Sequence, residues 1–156
     1  MSSVLFVCTA NICRSPIAMA LWREKLGSAA KGWRIESAGT WAMEGERAAS
    51  RAQTVLLERG IDLSAHRSRS VTREMLRNFT LILTMEHGHK EALRAEFPEF
   101  ASRIYLLHEM VGDVREVRDP MGGSMIDFQD TANEIDQVLT QGYDRICALA
   151  IGQVET

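Results

Sequence analysis

The stretch that decides the fold is "VLFVCTANICRSPIAMA", Val4 to Ala20. Val4 to Val7 is an unbroken apolar run, the mark of a strand buried on both faces. Cys8, Asn11, Cys13, Arg14 and Ser15 follow closely, and Pro16, Ile17 and Leu21 then read as the opening of a helix. A loop between strand and helix presents backbone N–H groups and a helix N-terminus, which together favour an anion. Arg14 adds a planar cation suited to two oxygens of a phosphate-like group. Cys8 would lie beneath that anion, where a positive field favours thiolate, and a thiolate under a phosphoryl group is placed for in-line attack. Ser15 can donate its hydroxyl to the sulfur. Asn11 tolerates left-handed backbone and can hydrogen-bond across the loop. A thiol and an arginine at arbitrary spacing would signify little; Cys-x5-Arg-Ser at a strand end is specific. The competing account makes Cys8 a packed core thiol and Arg14 a surface cation.

Outward from this stretch, apolar runs alternate with helical patterns. "WRIESA" (33–38) alternates like a strand, "ASRAQTVLLERG" (49–60) is a helix that Gly60 stops, and "FTLILTM" (79–85) is a second buried strand. "HKEALRAEF" (89–97) is a helix ending before Pro98, and "RIYLLH" (103–108) is the last strand. From Ser124 the pattern predicts one long helix. Ser124 and Asp127 suit a capping box, and Phe128, Ile135, Val138, Leu139, Ile146 and Leu149 form its apolar stripe. This order predicts an α/β fold, a parallel sheet with helices on both faces, in which ligands sit at the carboxyl ends of strands. No linker, repeat or low-complexity tract divides the 156 residues, so a single domain over 1–156 is expected.

Composition narrows the function. The chain is 46% hydrophobic and 25% charged with a net charge of -3, which argues against a nucleic-acid or membrane partner. The basic stretch "HRSRSVTRE", with Arg67, Arg69 and Arg73, reads as a solvated loop and helix start. No segment approaches the roughly 20 apolar residues of a membrane span, and Cys8, Asn11 and Arg14 interrupt any signal-peptide pattern. Three cysteines without regular spacing suggest no disulfide framework, so a reducing cytoplasm is expected. His66, His87, His89 and His108 are scattered and form no metal motif. The pair at 87 and 89 is spaced wrongly for one helix face and reads as surface.

Thiolate phosphoryl transfer also needs an acid for the leaving oxygen and then a base for water. The candidate is Asp119 in "VRDPMGGS", fixed by Pro120 in a glycine-rich loop. Taken alone, Asp-Pro is ordinary turn punctuation.

With these residues assembled, the chain resembles the low-molecular-weight protein tyrosine phosphatases. "VLFVCTANICRSPIA" is similar to the family's phosphate loop, and "WRIESAGT", "GIDLSAHRSR", "LILTM" and "RDP" are similar to later landmarks in the same order. The resemblance implies a three-layer, Rossmann-like sandwich around a four-stranded parallel sheet, with no metal or other cofactor. It implies Cys8 as nucleophile, Arg14 as phosphate-binding arginine, and Asp119 as general acid and base. Thr9, Ala10, Asn11, Ile12, Cys13 and Ser15 would supply the phosphate loop, with Ser15 supporting the thiolate. Ser37 and His66 would join Asn11 in a network bracing the loop, and Cys13 would be able to form a reversible disulfide with Cys8. Cys147 matches nothing catalytic and reads as core. The partner implied is a phosphotyrosine protein, with bacterial tyrosine kinases among the family's substrates, and the chain would be a monomer or weak dimer.

Two markers of substrate disagree. Many family members carry two tyrosines after the Asp-Pro, where this chain has Met121 and Gly122. "DPMGGS" is closer to the protein-arginine phosphatase branch, which typically has threonine where this chain has Ile12. Ile12 carries the greater weight, because it lies in the phosphate loop and offers an apolar surface and no hydrogen bond to a guanidinium. Trp41, Met43 and Met121 are candidates for the substrate wall. Phosphotyrosine hydrolysis is therefore expected, with phosphoarginine hydrolysis as the alternative. Arsenate reductase is disfavoured, because "TMEHGHKEA" lacks the further cysteines that a disulfide relay needs. A phosphate-binding or redox-sensing domain without turnover is disfavoured by the intact catalytic set.

Overall fold

The computed structural model describes residues 1–152. Four strands form one wholly parallel sheet: β1 (Ser2–Cys8), β2 (Trp33–Gly39), β3 (Leu81–Thr84) and β4 (Ile104–Leu106), in the order β2-β1-β3-β4. Six helices surround it: α1 (Arg14–Leu26), α2 (Ser50–Glu58), α3 (Arg73–Arg77), α4 (His87–Glu96), α5 (Met125–Gln141) and α6 (Tyr143–Ala150). This is the expected α/β sandwich in three layers.

The opening apolar run is continuous because both faces of β1 are covered. Alternate strand residues point to opposite sides. Val4, Phe6 and Cys8 join a core with Ile17 and Trp22 of α1, Phe128, Ile135 and Leu139 of α5, and Ile146 of α6. Leu5 and Val7 join a second core with Leu76, Phe79, Leu93 and Phe97. Strand order then decides where a ligand can sit. The chain leaves β1 toward β2 on one side and later returns to β3 on the other. The loops after β1 and β3 consequently diverge at their carboxyl ends, opening the crevice that this topology offers.

Most expected elements appear with shifted ends. The strand expected over 79–85 is shortened to Leu81–Thr84, and that over 103–108 stops at Leu106 before a 3-10 segment, Leu107–Val111. The long helix expected from Ser124 is two helices broken at Gly142. A Cβ there would crowd Met110 Cβ at 2.9 Å and Val138 O at 3.0 Å, so only glycine fits at the break. The Ser124 cap forms as expected, with Asp127 Oδ2 accepting from Ser124 N–H at 2.8 Å. The helix start read in "HRSRSVTRE" is the short helix α3, capped by Thr72. No helix among the described residues is long and apolar enough to cross a membrane.

Gly39, at the end of β2, positions the site. It pairs with Cys8 across the sheet, and a Cβ on it would overlap the Thr9 carbonyl oxygen. Thr40 N–H donates to Cys8 O at 2.9 Å and Trp41 N–H to Thr9 O at 3.0 Å, so β2 and its following loop hold the first peptides of the loop after β1. Gly39→Ala is expected to lower stability by about 1–3 kcal/mol, the usual scale of overpacking against backbone, measured by urea unfolding. An unchanged urea midpoint would show that the two segments are free to separate.

Candidate active site

Residues 9–13 wrap from the carboxyl end of β1 into the N-terminus of α1, and Asn11 is their keystone. It has φ +60°, the one non-glycine residue with positive φ among the described residues, a conformation that Asn tolerates better than most. Its amide orientation follows from its neighbours. Arg69 N–H can only donate, so the atom 3.1 Å from it is Oδ1. The Nδ2 group therefore faces Ser15 Oγ at 2.8 Å and Ser37 Oγ at 2.9 Å. Because Ser15 Oγ accepts from Asn11, its own hydrogen is left to donate. Cys8 Sγ lies 3.0 Å away, much nearer contact for a sulfur than the alternative acceptor, Ala38 O at 3.4 Å. His66 Nε2 donates to Asn11 O at 2.8 Å. The structure thus gathers Asn11, Ser15, Ser37 and His66 around Cys8.

Arg14 closes the far end of the loop. It is 2% exposed, and its Nη1 donates to Val117 O at 2.8 Å and lies 3.3 Å from Glu86 Oε1. Val117 is itself fully buried, with its N–H bonded to Met85 O at 2.9 Å. These contacts pin the segment before α5 to the end of β3. Two residues on, Asp119 comes within 3.8 Å of Arg14 Nη2 while keeping its carboxyl about half exposed, at 48%. Asp119 Oδ1 accepts from Met121 N–H at 3.1 Å, which fixes the turn. On its outer side this loop borders a cavity of about 640 Å³ lined in part by Arg118, Pro120, Met121 and Glu134. Asp119 is thus brought beside the arginine that ends the loop begun by Cys8, 111 positions earlier in the sequence (8 to 119).

Cys13 differs from Cys8 in its neighbours. Its thiol is pushed up to about 12 by burial first, and then by the proximity of Cys8 and Asp119. Both thiols are free. At neutral pH Cys13 is protonated and a poor nucleophile.

Of the candidate wall residues, Trp41 is 85% exposed, Met43 72% and Met121 51%. The backbones of Trp41 and Met121 border the site, through the Trp41–Thr9 and Met121–Asp119 bonds, whereas Met43 O accepts from Ser68 Oγ; all three side chains stand largely in solvent. Ile12 is half-buried against the core, and its carbonyl accepts from Ala49 N–H at 2.9 Å. Cys147 is also half-buried and packs against the core.

At the site itself one sequence expectation is overturned. His89 is buried, not surface. Helix α4 begins at His87, two residues earlier than expected, so residue 89 occupies the third helical position, where a side chain can turn back to the cap. His89 Nδ1 accepts from Glu86 N–H at 3.1 Å and His89 Nε2 lies 2.8 Å from Thr9 Oγ1. Glu86 and His89 went unread as site residues. The usable signal was their place just after a parallel strand, where functional groups of such sheets collect. Among the described residues no cluster of three or more His, Cys, Asp or Glu is placed to hold a metal ion.

A profile of the low molecular weight phosphotyrosine protein phosphatase family matches residues 3–148. A protein-arginine-phosphatase of Bacillus subtilis is 34% identical over 88% of this chain and 92% of its own length. A probable low molecular weight protein-tyrosine-phosphatase, EpsP, of Ralstonia solanacearum is 34% identical over 94% and 97%. The crystal structure of a low molecular weight protein tyrosine phosphatase from T. tengcongensis superposes with a TM-score of 0.88 at 38% identity, covering 93% of this chain and 99% of that one.

The buried imidazoles give a pH dependence. His66, His89 and His108 are all held below the ordinary histidine value of 6.5, chiefly because burial penalises the charged ring. The unfolded chain therefore takes up protons first as pH falls, so stability is full above about pH 6.5 and is lost below it. The urea midpoint is expected to drop between about pH 7.5 and about pH 5.5, before most carboxylates titrate. A midpoint constant over that window would mean that the rings accept protons in place.

Proposed function

The chain belongs to the low molecular weight phosphotyrosine protein phosphatase family, and on that footing we propose that it is a phosphoric monoester hydrolase that acts on phosphotyrosine in proteins through a cysteinyl-phosphate. The observation that carries this reading is the Cys8 sulfur held 3.0 Å from Ser15 Oγ at the mouth of a loop closed by buried Arg14.

Cys8 attacks phosphorus in line with the ester oxygen, forming the S–P bond as the P–O bond to the tyrosine breaks. Arg14 and the N–H groups of residues 9 to 15 hold the three equatorial oxygens and stabilise their charge in the transition state. Asp119 gives its proton to the departing phenolate oxygen. It then removes a proton from the water that attacks phosphorus, which releases orthophosphate and returns the cysteine. Ser15 donates to the sulfur, and Asn11, Ser37 and His66 hold the loop. Each step uses groups of one catalytic domain.

Ile12 supports the tyrosine assignment. A branched apolar side chain in the loop packs against an aromatic leaving group and offers nothing to a guanidinium. The exposed rim formed by Trp41, Met43 and Met121 would complete the wall around the ring. A second reading, phosphoarginine hydrolysis, is favoured by the loop "DPMGGS". There a Cβ on Gly123 would meet Pro120 O at 2.9 Å and Gly122 has φ +81°, so the loop depends on both glycines and carries no side chain at these two positions.

Cys8→Ser is expected to abolish turnover of p-nitrophenyl phosphate while orthophosphate still binds; residual turnover above background would remove Cys8 as nucleophile. Asp119→Asn should slow kcat by about 10²–10⁴-fold, the usual range for lost acid–base help, and an unchanged rate would refute its role. For the substrate, kcat/KM is measured on matched peptides bearing phosphotyrosine or phosphoarginine. Preference for phosphotyrosine is expected from Ile12; preference for phosphoarginine would transfer the assignment to the "DPMGGS" loop.

A further inference from the structure

The junction between β3 and α4 reaches both ends of the phosphate loop. At one end His89 Nε2 lies 2.8 Å from Thr9 Oγ1; at the other Glu86 Oε1 lies 3.3 Å from Arg14 Nη1. The second oxygen of Glu86 is 3.3 Å from His89 Nε2, so one carboxylate joins the arginine to the imidazole. The tautomer is set by the backbone. Glu86 N–H donates to His89 Nδ1 at 3.1 Å, so Nδ1 carries no hydrogen. In the neutral ring Nε2 then carries it and donates to Thr9 Oγ1, with Glu86 Oε2 as a weaker second acceptor.

Thr9 is otherwise held from one side only, where its carbonyl accepts from Trp41 N–H. His89 grips it from the opposite side, so the peptide that begins the phosphate-binding loop is fixed from two elements. We propose that His89 is a positioning residue of the active site: its Nε2–H fixes Thr9, and with Glu86 it couples Thr9 to Arg14, so that the loop amides and the guanidinium converge on the same phosphoryl oxygens. The inference rests on the assignment of residues 8–15 as the phosphate cradle.

The bland account is that His89 merely caps α4 by accepting from Glu86 N–H, as a glutamate at that position would. The two roles use different ring nitrogens and can be separated. Asparagine puts an amide oxygen near the place of Nδ1 and keeps the cap. Glutamine puts an amide nitrogen near the place of Nε2 and keeps the donor to Thr9.

The charges facing His89 are Arg14 on α1, Glu86 at the start of its own helix, and Glu116 and Asp119 on the segment before α5. Burial first and Arg14 second hold its pKa down, opposed by the three carboxylates. Protonation would put a hydrogen on Nδ1 against Glu86 N–H, turning the ring and releasing Thr9. Glutamine at this position has no such ionisation.

The test measures kcat and KM on p-nitrophenyl phosphate, orthophosphate affinity by calorimetry, and thermal midpoint for wild type, Cys8→Ser, His89→Gln and His89→Asn. Expected is a loss of about 10–10²-fold in kcat/KM for His89→Asn, the scale of a small misplacement of catalytic groups, with weaker orthophosphate binding. His89→Gln should stay within about threefold of wild type and should gain on it as pH falls from about 7 to about 5. Rescue by Asn and not Gln, equal loss in both, or no loss in either would overturn the proposal. If wild type shows no Cys8-dependent turnover, the phosphatase assignment fails. The orthophosphate arm then still judges His89: weakening by Asn but not Gln supports it, and any other pattern overturns it.

Discussion

Asn11 bends the chain through a left-handed conformation and commits both ends of its amide to the protein, Oδ1 to the Arg69 backbone and Nδ2 to Ser15 and Ser37. A loop that aims its N–H groups at a common point places partial positive charges side by side, and these repel one another in the absence of an anion. Such a loop persists only where its surroundings over-determine it. Asn11 ties it to β2 through Ser37 and to residues 66–69 through His66 and Arg69. The same amide orients the Ser15 hydroxyl toward the Cys8 sulfur. Loop shape and the surroundings of the Cys8 sulfur are therefore two results of one hydrogen-bond set, and neither can be changed separately.

The remaining elements serve this loop from different directions. β2 presses on it through Gly39, which admits no Cβ. The end of β3 supplies Met85, which fixes Val117, which accepts from Arg14 and so brings Asp119 into reach. The buried guanidinium links the front of the chain to its last third. Rigidity here has a catalytic meaning, because dipoles already oriented at the charge that develops in a transition state need no reorganisation when the reaction occurs.

Much of this was legible in the sequence, for identifiable reasons. Val4–Val7 announced a strand with two covered faces, Gly60 and Pro98 marked helix ends, and Ser124 with Asp127 marked a start; each is a local signal. The cysteine loop was legible because its groups lie within eight residues. Asp119 needed a partner chemistry to be noticed at all. His89 was misread because its partner is 80 positions away in sequence, and a polar residue among polar neighbours looks like surface until the fold turns it inward. The break at Gly142 was hidden for a similar reason, since Met110, whose approach leaves no room for a Cβ there, comes from another part of the chain. Local signals gave elements; contacts made only in the folded chain decided their ends and their use.

The solvent-facing rim has a consequence for how such a protein changes over time. Trp41, Met43 and Met121 bury little, and exposed positions of this kind usually shift stability by no more than about 0.5 kcal/mol. Asn11, Gly39 and Arg14 have no such freedom. Descendants of one ancestral gene can therefore exchange rim residues step by step, each intermediate folding as well as the last, while the cradle beneath stays fixed. Divergence at the rim is thermodynamically almost neutral in this fold, whereas divergence in the loop beneath it is not.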